Sequence, residues 1–239
     1  MSFSSTTIVL VHGAFADASS WQPVTELLLA EGHRVLAPPV FNRSLAEDAA
    51  YIRSFVEQID GPVLLAGHSY GGAVITVAGV AENVAGLVYV SGYALEEGES
   101  LGQLQGGFPD SDLAAHLVYA PYPVAGGEPG TDVSVAIDAF PEVFAAGLDP
   151  DKARALAVSQ RPLSAIAFSE PATAAAWKTT PGWGIVSSAD RTINPEVERF
   201  GYKRAGLRSV VEIDAPHLVM QTHPAEVAAV ITDAVAELG

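Results

Sequence analysis

The chain contains no cysteine. That excludes disulfides, a thiolate nucleophile and Cys-ligated metals or clusters, and leaves the redox compartment open. Positive charge is scarce: 12 Lys and Arg stand against 28 Asp and Glu in 239 residues, a formal net charge of −16. Nucleic acid needs a basic surface on its partner, so that class is set aside, and anionic membranes with it. No apolar run reaches the roughly 18 residues of a spanning helix. The start, Met1-Ser2-Phe3-Ser4-Ser5, has no basic segment and is not read as a signal peptide, so a cytoplasmic location is expected. The scarcity of bases is also uneven. Between Arg53 and Lys152 there is no Lys or Arg, while residues 54–151 carry 14 of the 28 acids. Apolar residues are plentiful, at 49%, enough for a buried core in one large domain or two small ones.

Short apolar runs alternate with amphipathic segments. Ile8–Val11, Val35–Val40, Val63–Ala66 and Leu87–Val90 read as strands, and the segments 18–31, 44–59 and 70–82 between them as helices. Pro38-Pro39 marks the second run as an edge strand or one that ends early. The rhythm lapses over residues 93–176, where Gly and Pro are frequent and no convincing strand is visible. It resumes with the strand Gly184–Ser188, a helix at 195–205, the strand Val210–Ile213 and a last helix at 224–238. Alternation of this kind predicts an α/β fold: a mostly parallel sheet of about six strands with helices on both faces. The 84-residue interruption is too long for a loop, so residues 1–92 and 177–239 are read as the core and 93–176 as a helical cap insertion. Such an insertion would cover the end of the sheet where ligands bind.

Gly67-His68-Ser69-Tyr70-Gly71-Gly72 follows an apolar strand and opens a small-residue helix. This is the setting that makes G-x-S-x-G a nucleophile elbow: a tight turn lifts the serine hydroxyl above the sheet, and glycines give its neighbours room. The Tyr70 N–H points to the same place at the helix N-terminus. Gly98-Glu99-Ser100-Leu101-Gly102 matches the same pattern without a preceding strand, amid three glutamates, and is rejected. Of the six histidines, His217 alone directly follows a strand of the resumed rhythm, in Asp214-Ala215-Pro216-His217, which puts an imidazole at the same sheet edge as Ser69. His68 is expected to point away from the serine. Asp190, after the strand 184–188, is the expected orienting carboxylate, with Asp214 as its rival; the order Ser69, Asp190, His217 suits the fold. A backbone N–H at Ala14, in His12-Gly13-Ala14-Phe15, would join that of Tyr70 in a two-donor oxyanion hole.

With these residues in place, the chain resembles the small serine α/β-hydrolases of the His-Gly-x type, and more distantly the plant methylesterase and hydroxynitrile lyase branch. The resemblance extends over His12–Phe15, Gly67–Gly72, Ala189–Arg191 with Pro195, and Ala215–His217. It implies an α/β-hydrolase fold with a cap between the fourth and fifth strands, a nucleophile at Ser69, a base at His217, an acid at Asp190, and donors at Ala14 and Tyr70. Dehalogenases and epoxide hydrolases of this fold carry Asp at the serine position. Hydroxynitrile lyases carry Lys directly after the base, where this chain has Leu218.

Carboxylic-ester hydrolysis of small to medium apolar, neutral substrates is the leading expectation. A cofactor-free perhydrolase or haloperoxidase-like reaction on the same triad, and a non-catalytic small-molecule binder, compete with it. No cofactor and no metal are expected; the partner is a small ester, and a homodimer is left open. Phe15, Tyr93, Phe108, Leu117, Phe144, Phe168 and Leu218 are candidates for the pocket wall. The base-free run over the elbow and cap predicts a field that disfavours anionic substrates.

Overall fold

A computed structural model describes residues 6–239; the reading of the first five residues lies outside them. The chain opens with β1 (Thr7–Val11), a 3-10 turn at Ala18–Trp21, α1 (Gln22–Ala30) and β2 (Arg34–Leu36). Next come α2 (Leu45–Val56), β3 (Val63–His68), α3 (Tyr70–Ala78) and β4 (Val84–Val90). β2 stops after three residues, before Pro38-Pro39, and lies at the sheet edge. A ring without an N–H cannot continue a ladder, so the strand ends there.

The segment after β4 is not purely helical, contrary to expectation. Besides α4 (Leu101–Gln105), α5 (Phe140–Val143), α6 (Pro150–Ser159) and α7 (Ala165–Ser169), it holds a three-stranded antiparallel sheet. Its strands are β5 (Leu117–Tyr122), β6 (Gly130–Val135) and β7 (Leu163–Ser164), in the order β5-β6-β7. β6 does alternate, with Val133 and Val135 buried, but the run is short and lies beside a turn rich in Gly and Pro. β5 carries Pro121 on an edge strand, and β7 is only two residues long, so neither shows a legible pattern.

β8 (Gly182–Ser187), α8 (Pro195–Ala205), β9 (Ser209–Ile213), α9 (Val219–Thr222) and α10 (Pro224–Leu238) complete the chain. The main sheet has six strands in the order β2-β1-β3-β4-β8-β9, and all its pairings are parallel. β1, β3 and β8 are buried along their whole length, as continuous apolar strands in a two-faced sheet must be. From β1 the chain steps one way to β2, and from β3 the other way to β4. Right-handed crossovers in opposite directions put α1 on one face and α2 and α3 on the other. α10 packs with α1 on the first face. The strand order therefore reverses between β1 and β3, and at such a point a crevice opens beyond the strand ends. The turns that follow those two strands hold Ala14 and Ser69. Among the described residues, no helix is long and apolar enough to cross a membrane.

Candidate active site

Ser69 joins β3 to α3 with φ 56° and ψ −123°, a left-handed conformation rare for a residue with a side chain. Such strain persists only where the surroundings over-determine it. Here the Ser69 N–H donates to the Val90 carbonyl at 3.2 Å, and the Ser69 carbonyl accepts from the N–H groups of Gly72 and Tyr93 at 2.9 and 3.3 Å. The flanking glycines are needed for close approach. A Cβ on Gly67 would overlap the Gly71 carbonyl, and one on Gly71 the Val11 carbonyl. Ser69 is 5% exposed. Tyr70, the first residue of α3, has no intrahelical acceptor for its N–H. Its phenol donates to Asp48 Oδ2 at 2.8 Å, and Asp48 also accepts from the Phe41 N–H at 3.2 Å. This buried Asp48 anchor on α2 was not singled out in the sequence, where it reads as one acid in a helix's first turn.

The turn after β1 is held by its own histidine. His12 Nδ1 lies 2.9 Å from the Gly13 carbonyl, and the Val40 N–H donates to His12 Nε2 at 2.9 Å. This arrangement requires the neutral tautomer with its proton on Nδ1. Burial lowers the His12 pKa to about 4, which keeps it neutral. Phe15 adopts φ 61° and gives its N–H to the Arg161 carbonyl at 3.0 Å. Of the two N–H groups at the tip of this turn, that of Ala14 is the one not so used. The turn abuts Ser69: a Cβ on Gly13 would lie 2.8 Å from the serine Cβ.

His217 follows β9 on a short loop and is 1% exposed. Its Nδ1 lies 2.6 Å from Asp190 Oδ2, while Asp190 Oδ1 accepts the N–H groups of Thr192 and Ile193 at 2.6 and 3.0 Å. Asp190 is thus not the cap of α8; Asn194 is, accepting the Glu196 N–H at 3.0 Å. The rival Asp214 is exposed and lies 3.5 Å from the Ser188 hydroxyl. His217 Nε2 has no partner among the described residues, and no hydrogen bond joins it to Ser69. Such contacts commonly tighten only when substrate is bound. His68 underlies His217. Its Nε2 lies 2.9 Å from the His217 carbonyl and the two rings are 4.5 Å apart, with burial holding His68 well below its usual pKa. A neutral His68 then donates to that carbonyl and holds the His217 loop from below. The second G-x-S-x-G serine, Ser100, accepts the Gln103 N–H as the N-cap of α4.

A cavity of about 140 Å³ lies beside these groups. Of the expected wall residues it takes Phe15, Phe144 and Leu218. Neither Ser69 nor His217 lies on its wall, but Leu218 follows His217, and the Phe144 ring is 5.2 Å from the imidazole. Ala16, Phe140 and Leu156 complete the apolar wall, and Asp17, Lys152 and Gln221 are among the polar members missed in the sequence. Leu117 and Phe168 line a separate cavity of about 90 Å³. Tyr93 and Phe108 line neither. Tyr93 is buried in the core, and Phe108 packs on Phe200 at 5.6 Å between ring centroids. The wall of the larger cavity carries one charge of each sign, Asp17 and Lys152, both from outside the base-free run.

Nearly all of the chain superposes on known folds. Polyneuridine aldehyde esterase matches with a TM-score of 0.83 at 20% identity, over 96% of this chain and 99% of that one. A methylesterase from Arabidopsis matches with a TM-score of 0.78 at 18% identity, over 97% and 99%. A pyrethroid hydrolase from Sphingobium faniae JZ-2 gives 0.74 at 22% identity, over 97% of each chain. At these identities the likeness is one of fold. A carbendazim hydrolyzing esterase from Nocardioides sp. (strain SG-4G) is 36% identical over 109 residues. That match spans 39% of this chain and 44% of the relative, less than half of either. The model of the Alpha/beta hydrolase family matches residues 8–230. With the parallel sheet and the strand–Ser69–helix turn described above, the chain belongs to the alpha/beta hydrolase family.

Proposed function

We propose that the protein is a serine esterase acting on small, apolar, neutral carboxylic esters. The observation that carries this reading is the buried His217–Asp190 pair, 2.6 Å apart, whose free Nε2 shares a sheet edge with the strained Ser69 turn. Ser69 attacks the acyl carbon while His217 Nε2 takes its proton. Asp190 holds the imidazole with its proton on Nδ1 and stabilises the cation that forms. The Ala14 and Tyr70 N–H groups hold the oxyanion. The alcohol leaves with the proton from His217, and His217 then activates water against the acyl-enzyme.

Residues 93–176 act as a lid in this reading, since Phe140, Phe144 and Leu156 of that segment wall the cavity. At about 140 Å³ the cavity matches the size that holds a benzene ring in other proteins. A short acyl or single-ring group is therefore the preferred occupant. The esterase names among the relatives above support the reaction class. Ser69→Ala assayed on p-nitrophenyl esters tests it: turnover is expected to vanish, and retained turnover would overturn the reading. Activity that needs hydrogen peroxide would instead favour perhydrolase chemistry.

A further inference from the structure

Asp190 has a second buried acid beside it. Glu198, on α8, is fully buried. Its Oε2 accepts the Ser187 N–H at 3.1 Å. Its Oε1 finds no donor among the described residues. Asp190 is tied to the same residue, its N–H donating to the Ser187 carbonyl at 3.2 Å, so the two acids are buried side by side. Ionised carboxylates only accept and repel one another, so such a pair is relieved when one of them keeps a proton.

The surroundings decide which group holds it. Three N–H groups, from Thr192, Ile193 and His217, converge on Asp190, and one, from Ser187, on Glu198. The charge is better satisfied on Asp190, so the proton resides on Glu198. The other titratable groups facing Glu198 are the buried phenols of Tyr93 and Tyr202, kept neutral mainly by burial. The hydroxyl of Tyr202 accepts the Gly92 N–H at 2.9 Å. Among the described residues the cation acting on Glu198 is Arg199, which is tied outward to Glu196 and Glu212. Burial and the charge of Asp190 push Glu198 well above the usual carboxylate range.

We propose that Glu198 is a positioning residue: held as the neutral acid, it donates a hydrogen bond to Asp190 and fixes that carboxylate against His217. The proposal rests on Asp190 and His217 acting as the acid and base above. It has a second consequence. A donor on Asp190 draws off part of its negative charge and so tempers its hold on the imidazolium. Removing the donor strengthens that hold and moves the acid limb of the pH–rate profile to higher pH.

Glu198→Gln keeps both contacts, an amide N–H toward Asp190 and a carbonyl toward Ser187. On p-nitrophenyl esters it is expected to stay within about threefold of wild type, with the acid limb unmoved. Glu198→Leu is expected to lose about 10- to 100-fold in kcat, with KM nearly constant and the acid limb raised. A Gln variant as impaired as Leu, or a Leu variant that melts lower but keeps kcat and pH profile, would overturn the proposal. Infrared difference spectra of wild type and Glu198→Gln at neutral pH give a readout that needs no turnover and no Leu variant. The carbonyl stretch of a neutral carboxylic acid is expected in the wild type and absent from the variant; its absence from the wild type would overturn the proposal. A Ser69→Ala protein that still turned over substrate would instead overturn the triad reading, whatever the infrared band showed.

Discussion

Replacing Asp190 by Asn exchanges one carboxylate oxygen for an NH₂ group and reverses the logic of the site. Asp190 Oδ1 accepts two backbone N–H groups, at 2.6 Å from Thr192 and 3.0 Å from Ile193, and Oδ2 faces His217 Nδ1 at 2.6 Å. An Asn side chain can satisfy one side only. Turning its NH₂ toward the two N–H groups would leave two buried donors unpaired, at about 1–3 kcal/mol each, or roughly 2–6 kcal/mol in all. The amide oxygen therefore stays on Thr192 and Ile193, and the NH₂ faces His217. Nδ1 must then accept, the imidazole proton moves to Nε2, and the base presents a proton to Ser69 where it needs a lone pair. The expected loss in kcat is about 10⁴-fold, equivalent to about 5 kcal/mol of barrier, as for the same change in a Ser-His-Asp protease. KM and the melting temperature are expected to change little, because the side chain keeps its shape and its backbone contacts. Steady-state hydrolysis of a p-nitrophenyl ester near neutral pH, with the melting temperature as control, measures both. A loss of less than about tenfold in a folded protein would refute the reasoning, since it would mean that Asp190 does not set the tautomer.

Two further perturbations test the packing around the site. Phe144 is 1% exposed and packs on Phe140, Phe15 and His217 at ring separations of 4.8, 5.7 and 5.2 Å. Phe144→Ala is expected to cost about 3–5 kcal/mol and lower the melting temperature by roughly 6–20 °C; an ester panel is expected to shift toward longer acyl chains. A drop of a degree or two would show that the ring is not a core element. His12 gives a pH signature. Its pKa is lowered to about 4 in the fold, so between the unfolded value near 6.5 and about 4 the unfolded state binds more protons. Stability contributed by neutral His12 is present above about pH 6.5 and is lost as pH falls toward 4, by about 3 kcal/mol. Urea denaturation across that window is expected to show the loss in wild type and less of it in His12→Gln; equal slopes would contradict the assignment.

The sheet was legible because continuous apolar strands such as Val63–Leu65 alternate with amphipathic helices, and burial on both faces demands that pattern. The turns that carry Ser69, Asp190 and His217 were legible because each follows a strand directly, and the parallel topology brings all such turns to one edge. What was hidden depends on contacts between segments far apart in the chain. His68 was expected to point away from the serine, and its place beneath His217 comes from the loop after β9, which no local pattern describes. Asp48 and Glu198 read as ordinary helix acids until the fold buries them against Tyr70 and Asp190. The small antiparallel sheet in residues 93–176 was missed because its strands are short and one carries a proline. Asp17 and Lys152 are 135 positions apart, and only folding sets them on the same cavity.

The central claim is that Ser69 is the nucleophile, and active-site labelling tests it most directly. Intact-protein and peptide mass spectrometry after treatment with a fluorophosphonate are expected to show one adduct, on Ser69, and none in Ser69→Ala. A wild-type protein that takes no label, or a Ser69→Ala protein that still takes it at Ser100 or elsewhere, would contradict the account.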